Sequence, residues 1–340
     1  MKAIIMAGGE GRRLRAVTGD LPKPMVPFLG RPMMEHIILL LKTQGFDDIC
    51  VTLRYRAQDI ISYFGSGKAF GVKLRYSVEE KPLGTAGSVK NCSDFYGNED
   101  FLVISGDAAC DFQLAGLIKD HKESGACASL ALYRSPEPVS YGLAIKNADD
   151  SLRCFVEKPD WSRVVTDLVN TGIYVLSPKA MDYVPKDTNF DFGKELFPLL
   201  LEKGEKLMGF EQEGYWCDVG SPLSYYRCCA DALEGKLIIN LPDSFKSPVV
   251  PVENEPEARG ISFDCSCKNR ARLMAALSEI VLDMDADYSD GISVRDPRYR
   301  LHIAPLPKRS AVRLSVQSQD SEFARSLAFT TKELIEALDL

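Results

Sequence analysis

The chain has 340 residues, of which 45% are hydrophobic and 26% charged, and its formal net charge is −7. That composition is ordinary for a water-soluble globular protein, and the length suggests two domains or one large domain with an appendage. The acidic balance argues against a nucleic-acid-binding surface, which needs a basic stripe, so any phosphate binding must come from a few placed cations.

Residues 2–7, KAIIMA, are a short apolar run that stops at Gly8, the pattern of a buried strand. Residues 33–45, MMEHIILLLKTQG, carry helical apolar spacing and end on Gly45, a natural helix stop. DICVTLRY (48–55) then reads as strand, AQDIISYFG (57–65) as helix, VKLRYSVE (72–79) as strand, TAGSVKNCSDFY (85–96) as helix and FLVISGD (101–107) as a second fully apolar strand. This alternation predicts an α/β domain with a parallel sheet covered on both faces. Ligands of such sheets bind beyond the carboxyl ends of the strands, where Gly8 and Asp107 would lie. The alternation continues through residues 126–134 and 170–178 to a helix over 221–235.

Residues 241–260 carry four prolines and no apolar period, and read as a linker. Beyond them the sequence predicts a helix near 268–281, strands near 291–295, 299–304 and 311–318, and a final helix over 321–338, enough for a modest α+β domain. No run approaches the ~18 apolar residues of a membrane span, and the apolar start is too short for a signal peptide. The ten cysteines show no paired C-x-x-C spacing and there are only three histidines, so free thiols in a reducing cytoplasm are expected rather than disulfides or zinc.

MAGGEGRRLRAVTGDLPKPMVPF (6–28) is the densest motif. It is not the G-x-G-x-x-G fingerprint, because Gly9 and Gly11 are followed by Leu14 at the third glycine position, and it is not a G-x-x-x-x-G-K-[ST] loop. On this stretch alone, phosphate binding by bare backbone and fixed cations and a plain structural turn both stay open. Taken whole, AGGEGRRL followed by LPKPMVPFLGRPMMEH resembles the opening of the sugar-1-phosphate nucleotidylyltransferases, with Ala16 where that family usually carries proline. EEKPLGTAGSVK (79–90), ISGDAACD, SYGLA, RCFVEKP, LVNTGIYVLSP and YWCDVGSPLSYY match further segments of the same family in order.

The resemblance spans residues 1 to about 233 and implies a nucleotide-diphospho-sugar transferase fold, a Rossmann-like, mostly parallel mixed sheet with helices on both faces. It implies that Ala7, Gly8, Gly9, Gly11, Arg13, Lys23, Glu79, Gly84 and Thr85 bind the nucleotide. Gly142, Glu157, Lys158, Asn170 and Thr171 would meet the sugar phosphate, Arg13, Lys23 and Lys158 would be catalytic, and Asp107 with Asp218 would hold Mg²⁺. Asp111, four residues past Asp107, reads as structural.

The implied reaction is Mg-assisted in-line transfer of a nucleotidyl group from an NTP to a hexose-1-phosphate, which needs alignment and charge rather than a general base. The motifs look most like mannose-1-phosphate guanylyltransferases. The alternatives are glucose-1-phosphate with UTP, dTTP or ATP, and a non-catalytic subunit that binds sugar nucleotides. The partners expected are these small molecules, with no nucleic acid and no membrane, in the cytoplasm.

Residues 278–338 are similar to the C-terminal domain of phosphohexomutases, on DGISV and the strands after it. The loop that holds phosphate in those enzymes here reads APLPKRSAV, whose prolines lack N–H donors. The segment is therefore expected to be a vestigial mutase-like α+β domain kept for packing, regulation or a homo-oligomer contact. The expected organisation is a catalytic domain over 1–235, a linker over 236–260 and the small domain over 261–340.

Overall fold

A computed structural model describes residues 1–11, 14, 21–239, 260–281, 284–288, 291–296, 298–306, 310–318 and 320–338. Most of the expected linker, residues 240–259, and the basic pair Lys308 and Arg309 lie outside the described residues. The chain divides into two compact units, Met1–Gly220 with Gly235–Pro242, and Ser221–Glu234 with Asp243–Leu340.

The strands of the first unit are β1 (Lys2–Met6), the short β2 (Pro27–Phe28) and β3 (Arg31–Pro32), β4 (Asp48–Leu53), β5 (Lys73–Val78), β6 (Phe101–Ser105), β7 (Ala108–Cys110), β8 (Ala128–Arg134), β9 (Leu143–Lys146), β10 (Leu152–Val156), β11 (Leu168–Leu176), β12 (Leu207–Glu211) and β13 (Trp216–Asp218). A nine-stranded sheet runs β10-β9-β11-β6-β1-β4-β5, with β8 beside β11 and β12 beside β8. It is mixed, as expected. The β1–β4, β1–β6, β4–β5 and β8–β12 pairs are parallel, and the pairs made by β11 and by β9 with β10 are antiparallel.

β1 shows why the apolar runs read correctly. Ala3, Ile4 and Ile5 are fully buried, Ala3 and Ile5 in the core on one face of the sheet and Ile4 in the core on the other. Successive side chains of a strand alternate faces, so only a strand covered on both sides is apolar throughout. The helix Met33–Thr43 supplies Met34, Ile37, Ile38 and Leu41 to the first core. The opposite core takes Ala86 and Val89 from the helix Gly84–Lys90, with Phe192, Phe197 and Leu200. Each such large side chain, fully buried, contributes about 1.5–3 kcal/mol. The single helix expected over 85–96 is two, Gly84–Lys90 and Ser93–Tyr96, parted at Asn91 and Cys92. Asn is a weak helix former, which suits a break at Asn91.

The second unit holds an antiparallel sheet of five strands in the order β14 (Gly260–Ser266), β18 (Ala311–Ser318), β17 (Tyr299–Pro305), β16 (Ile292–Asp296) and β15 (Ala286–Asp287). Leu273, Met274 and Leu277 of the helix Arg270–Ile280 and Ala324, Ala328 and Ile335 of the helix Ser321–Leu338 share a core with Ile303, Leu314 and Val316 of the sheet. β14 lies where the sequence reading placed no strand. The helix Pro222–Leu233 groups with this unit and opens on a Ser221–Ser224 capping box. All ten cysteines are unbridged. Among the described residues, no helix is long and apolar enough to cross a membrane.

Candidate active site

The glycine-rich segment lies over the carboxyl ends of β1 and β4. Ala7 is buried and its N–H donates to Thr52 O at 3.0 Å, which carries the chain off β1 alongside the end of β4. Gly8 stands against Arg54, and Gly9 is exposed with open space where a Cβ would be. Glu10 pairs with Arg54 at 3.0 Å. Gly11 rests on the stem of Lys23. Arg13, with its neighbour Arg12 and residues 15–20 including Ala16, lies outside the described residues.

Lys23 opens a single 3-10 turn, Lys23–Met25, entered through Pro22. Its ammonium is 2.6 Å from Asp107 Oδ2 and 3.2 Å from Asp218 Oδ1. Asp107 follows β6 through Gly106, whose N–H donates to Met6 O at 2.8 Å and keeps the end of β6 beside β1. Asp218 is the last residue of β13, and a two-stranded ladder places it opposite Ala108 of β7, next to Asp107. Two carboxylates far apart in sequence thus converge on one cation. Burial opposes the Lys23 charge, but the two carboxylates outweigh it and its pKa is raised. Burial likewise opposes the Asp107 charge, and Lys23, with a hydrogen bond from Ser105 Oγ at 2.5 Å, reverses this and lowers its pKa.

The pair fits a hard divalent ion, because it offers carboxylate oxygens at a position already filled by positive charge. Among the described residues no three His, Cys, Asp or Glu side chains form a metal cage. A divalent ion here would take its remaining ligands from water or substrate phosphates, as Mg²⁺ commonly does.

Glu79 lies one strand further out, just past β5, its N–H bonded to Leu53 O at 2.8 Å. Its carboxylate is buried. Oε2 accepts the Leu83 N–H at 3.3 Å, whereas Oε1 has no hydrogen-bond partner among the described residues. Gly84 follows with φ +72°, and a Cβ there would sit 2.6 Å from Phe190 O, so only glycine lets this loop touch the 188–190 segment. The Thr85 hydroxyl donates to Asp191 Oδ2 at 2.8 Å and accepts the Phe192 N–H at 2.9 Å.

At the other end, Gly142 is buried where a Cβ would fall 2.8 Å from Glu157 Oε2 and 2.5 Å from the Phe155 ring. Glu157 is half-buried, and burial first and the nearby Asp191 second raise its pKa. Lys158 is exposed and held at φ +41°, its N–H on Tyr141 O at 3.1 Å. Asn170 bonds Gly142 O through its N–H at 2.8 Å and Tyr174 OH through Nδ2 at 2.9 Å. Thr171 departs from expectation: it is 2% exposed and its hydroxyl donates to Ala131 O at 2.7 Å, so it is not among the groups this site presents.

Sequence reasoning missed Asp191 and Gly193, which face Thr85 and Glu157. The trace it passed over is Asp191 as a helix cap, accepting the N–H groups of Gly193 and Lys194. Asp111 is structural, accepting from Tyr215 N at 2.7 Å and Ile238 N at 2.8 Å.

Residues 2–235 match the family described as "Nucleotidyl transferase". A UTP–glucose-1-phosphate uridylyltransferase of Synechocystis is 35% identical over 250 residues, 70% of this chain and 64% of that protein. A mannose-1-phosphate guanyltransferase of Candida albicans is 37% identical over 231 residues, 66% of this chain and 62% of that protein. The chain thus spans less than two thirds of the length of these curated relatives. Among solved structures, a putative glucose-1-phosphate thymidylyltransferase from Bacillus anthracis in complex with a sucrose has a TM-score of 0.63 at 29% identity, over 72% of this chain and 99% of that one. HddC from Yersinia pseudotuberculosis complexed with GMP-PN has a TM-score of 0.59 at 30% identity, over 68% of this chain and 99% of that one. On this family match and these likenesses, the chain belongs to the nucleotidyl transferase family, among the sugar-1-phosphate nucleotidylyltransferases.

Proposed function

We propose that the protein transfers a nucleotidyl group from an NTP to a hexose-1-phosphate, forming an NDP-sugar and pyrophosphate. The observation that carries this reading is the convergence of Lys23, Asp107 and Asp218 beside the glycine segment at the carboxyl edge of the sheet. An oxygen of the sugar phosphate attacks the α-phosphorus, the bond from that phosphorus to the bridging oxygen breaks, and pyrophosphate leaves with the electron pair. The attacking oxygen is already anionic near neutral pH, so the work of the chain is alignment and charge stabilisation. Lys23 and, on the family motif, Arg13 stabilise the triphosphate charge, and the backbone N–H groups of Gly8, Gly9 and Gly11 serve it, since the Ala7 N–H is already bonded to Thr52 O. Lys158 holds the sugar phosphate, and Glu157 with Asn170 accepts and orients sugar hydroxyls. Asp107 and Asp218 hold Mg²⁺, which when bound supplies positive charge to the phosphate oxygens.

For the base we infer GTP. A buried carboxylate with one oxygen unpartnered, Glu79 Oε1, is an acceptor that calls for donors. Guanine alone among the common bases presents two adjacent donors, N1–H and the 2-amino group, to a carboxylate. The mannose-1-phosphate guanyltransferases among the relatives and the GMP-PN complex of HddC support GTP, and the former support mannose-1-phosphate as acceptor. The uridylyltransferase and thymidylyltransferase likenesses favour a glucose-1-phosphate alternative.

The test is pyrophosphate release with Mg²⁺ over GTP, UTP, dTTP, ATP and CTP, each against mannose-1-phosphate and glucose-1-phosphate. The strongest signal is expected for GTP with mannose-1-phosphate. A strong signal elsewhere in the grid corrects the substrate, and no turnover in any pair refutes the activity.

A further inference from the structure

The Thr85 hydroxyl has one proton to give, and it gives it to Asp191. It also accepts from Phe192 N. Around this exchange the two loops are zipped by backbone bonds. Phe190 N donates to Leu83 O at 2.8 Å, and Phe190 O accepts from Ala86 N at 2.9 Å and Gly87 N at 3.0 Å. Asp191 in turn accepts the Gly193 N–H at 3.0 Å through its other oxygen. Gly193 lies so close to Glu157 that a Cβ on it would fall 2.6 Å from Oε2. An unbroken chain of contacts therefore runs from the loop after Glu79 to the carboxylate of Glu157.

We propose that Thr85 and Asp191 are positioning residues, a latch that fixes the base end of the site, at Glu79 and Gly84, to the sugar end, at Glu157 and Gly193. This rests on the function proposed above. In-line displacement gains most of its rate from holding two substrates in one geometry, so a fixed separation between the two ends acts on both substrates at once. Thr85 touches neither reacting phosphate in this role. Asp191 also adds negative charge beside Glu157, in keeping with the raised pKa of that group.

The signature is crossed. Thr85→Val keeps the shape and removes the hydroxyl, and it is expected to raise KM for the hexose-1-phosphate, at the far end from Thr85, by about tenfold. Asp191→Asn, near the sugar end, is expected to raise KM for the NTP by a similar factor. Thr85→Ser, which retains the hydroxyl, should behave nearly as wild type. The double variant should fall short of the product of the two single effects, because the two substitutions share the Thr85–Asp191 hydrogen bond.

A Thr85→Val enzyme with only its NTP KM altered would make Thr85 a plain nucleotide contact and overturn the latch. So would a kcat loss at unchanged KM values that a lower folded fraction accounts for, whereas the same loss at full folded fraction is the misalignment the latch prevents. If Thr85→Val does not fold, Asp191→Asn carries the same crossed test. Hydrogen exchange of the 190–193 segment separates this proposal from the activity. Should wild type be inactive with every substrate pair, the assigned reaction falls, while faster exchange in Thr85→Val but not in Thr85→Ser still supports the latch. Equal exchange in all three overturns it.

Discussion

Replacing Lys23 by Met removes the charge between Asp107 and Asp218 while keeping most of the side-chain volume. Wild type holds the ammonium 2.6 Å from one carboxylate and 3.2 Å from the other, with 10% of the lysine side chain exposed. Removing one partner of a fully buried ion pair costs about 3–5 kcal/mol, because the remaining charge stays uncompensated. Both carboxylates keep 30% of their side-chain surface in contact with solvent, and screening reduces the loss to about 2 kcal/mol. For a unit of this size that is a fall in Tm of about 4–8 °C. The variant also leaves two like charges facing an empty centre, so Mg²⁺ should raise its Tm more than that of wild type; a hundredfold excess over Kd stabilises by about 2.7 kcal/mol. Differential scanning fluorimetry of both proteins, with EDTA and over a Mg²⁺ titration, reads this directly. A variant that melts with wild type in EDTA, or gains no more from Mg²⁺ than wild type does, would refute the assignment of a shared cation position.

Glu157 carries a pH prediction. A folded-state pKa above the ordinary value means that the folded protein favours the protonated form. The contribution of Glu157 to stability is therefore full below about pH 4.3 and falls as pH rises through the raised value. Glu157→Gln should consequently match wild type in Tm at pH 4 and equal or exceed it at pH 7, while its KM for the sugar phosphate rises; a lower Tm at pH 7 would contradict this. Glu79→Gln replaces one acceptor oxygen by a donor and should cut the preference for GTP over UTP about tenfold in kcat/KM. An unchanged ratio would remove Glu79 from base selection. Asp111→Ala deletes the acceptor of two backbone N–H groups and should destabilise by about 1–3 kcal/mol, seen as a lower urea midpoint, with both KM values unaltered.

The N-terminal strands were legible because burial on both faces makes a parallel strand a continuous apolar word, as in KAIIM and FLVIS. The helices were legible where an apolar stripe ended on glycine, as at Gly45 and Gly65. Strand partners were not. Nothing in WCD or AAC announces that these three-residue segments pair, yet their ladder is what carries Asp218 to Asp107. The family motifs named both aspartates without giving a physical reason for their meeting. The reason is a tertiary contact between short strands whose local preference is weak.

Thr171 marks the opposite case, where the sequence held a warning that motif matching overrode. Neighbouring residues of a strand point to opposite faces, so Asn170 and Thr171 could not both look into one site from a regular β11. In the structure Asn170 is half-buried, with its N–H on Gly142 O, and the Thr171 hydroxyl goes to Ala131 O on β8. The register of β11 against β8 shifts between Asn170 and Tyr174, around Gly172 at φ +79°. That irregularity lets the strand bend while Asn170 Nδ2 reaches the buried Tyr174 hydroxyl, four residues on. The N-T-G-I-Y run therefore serves two ends: its first residue lies at the candidate sugar site, and its second fastens β11 to the strand beside it. A threonine matched to a binding motif gains its role only once the partner of its single proton is known, and for Thr171, as for Thr85, that partner is the protein itself.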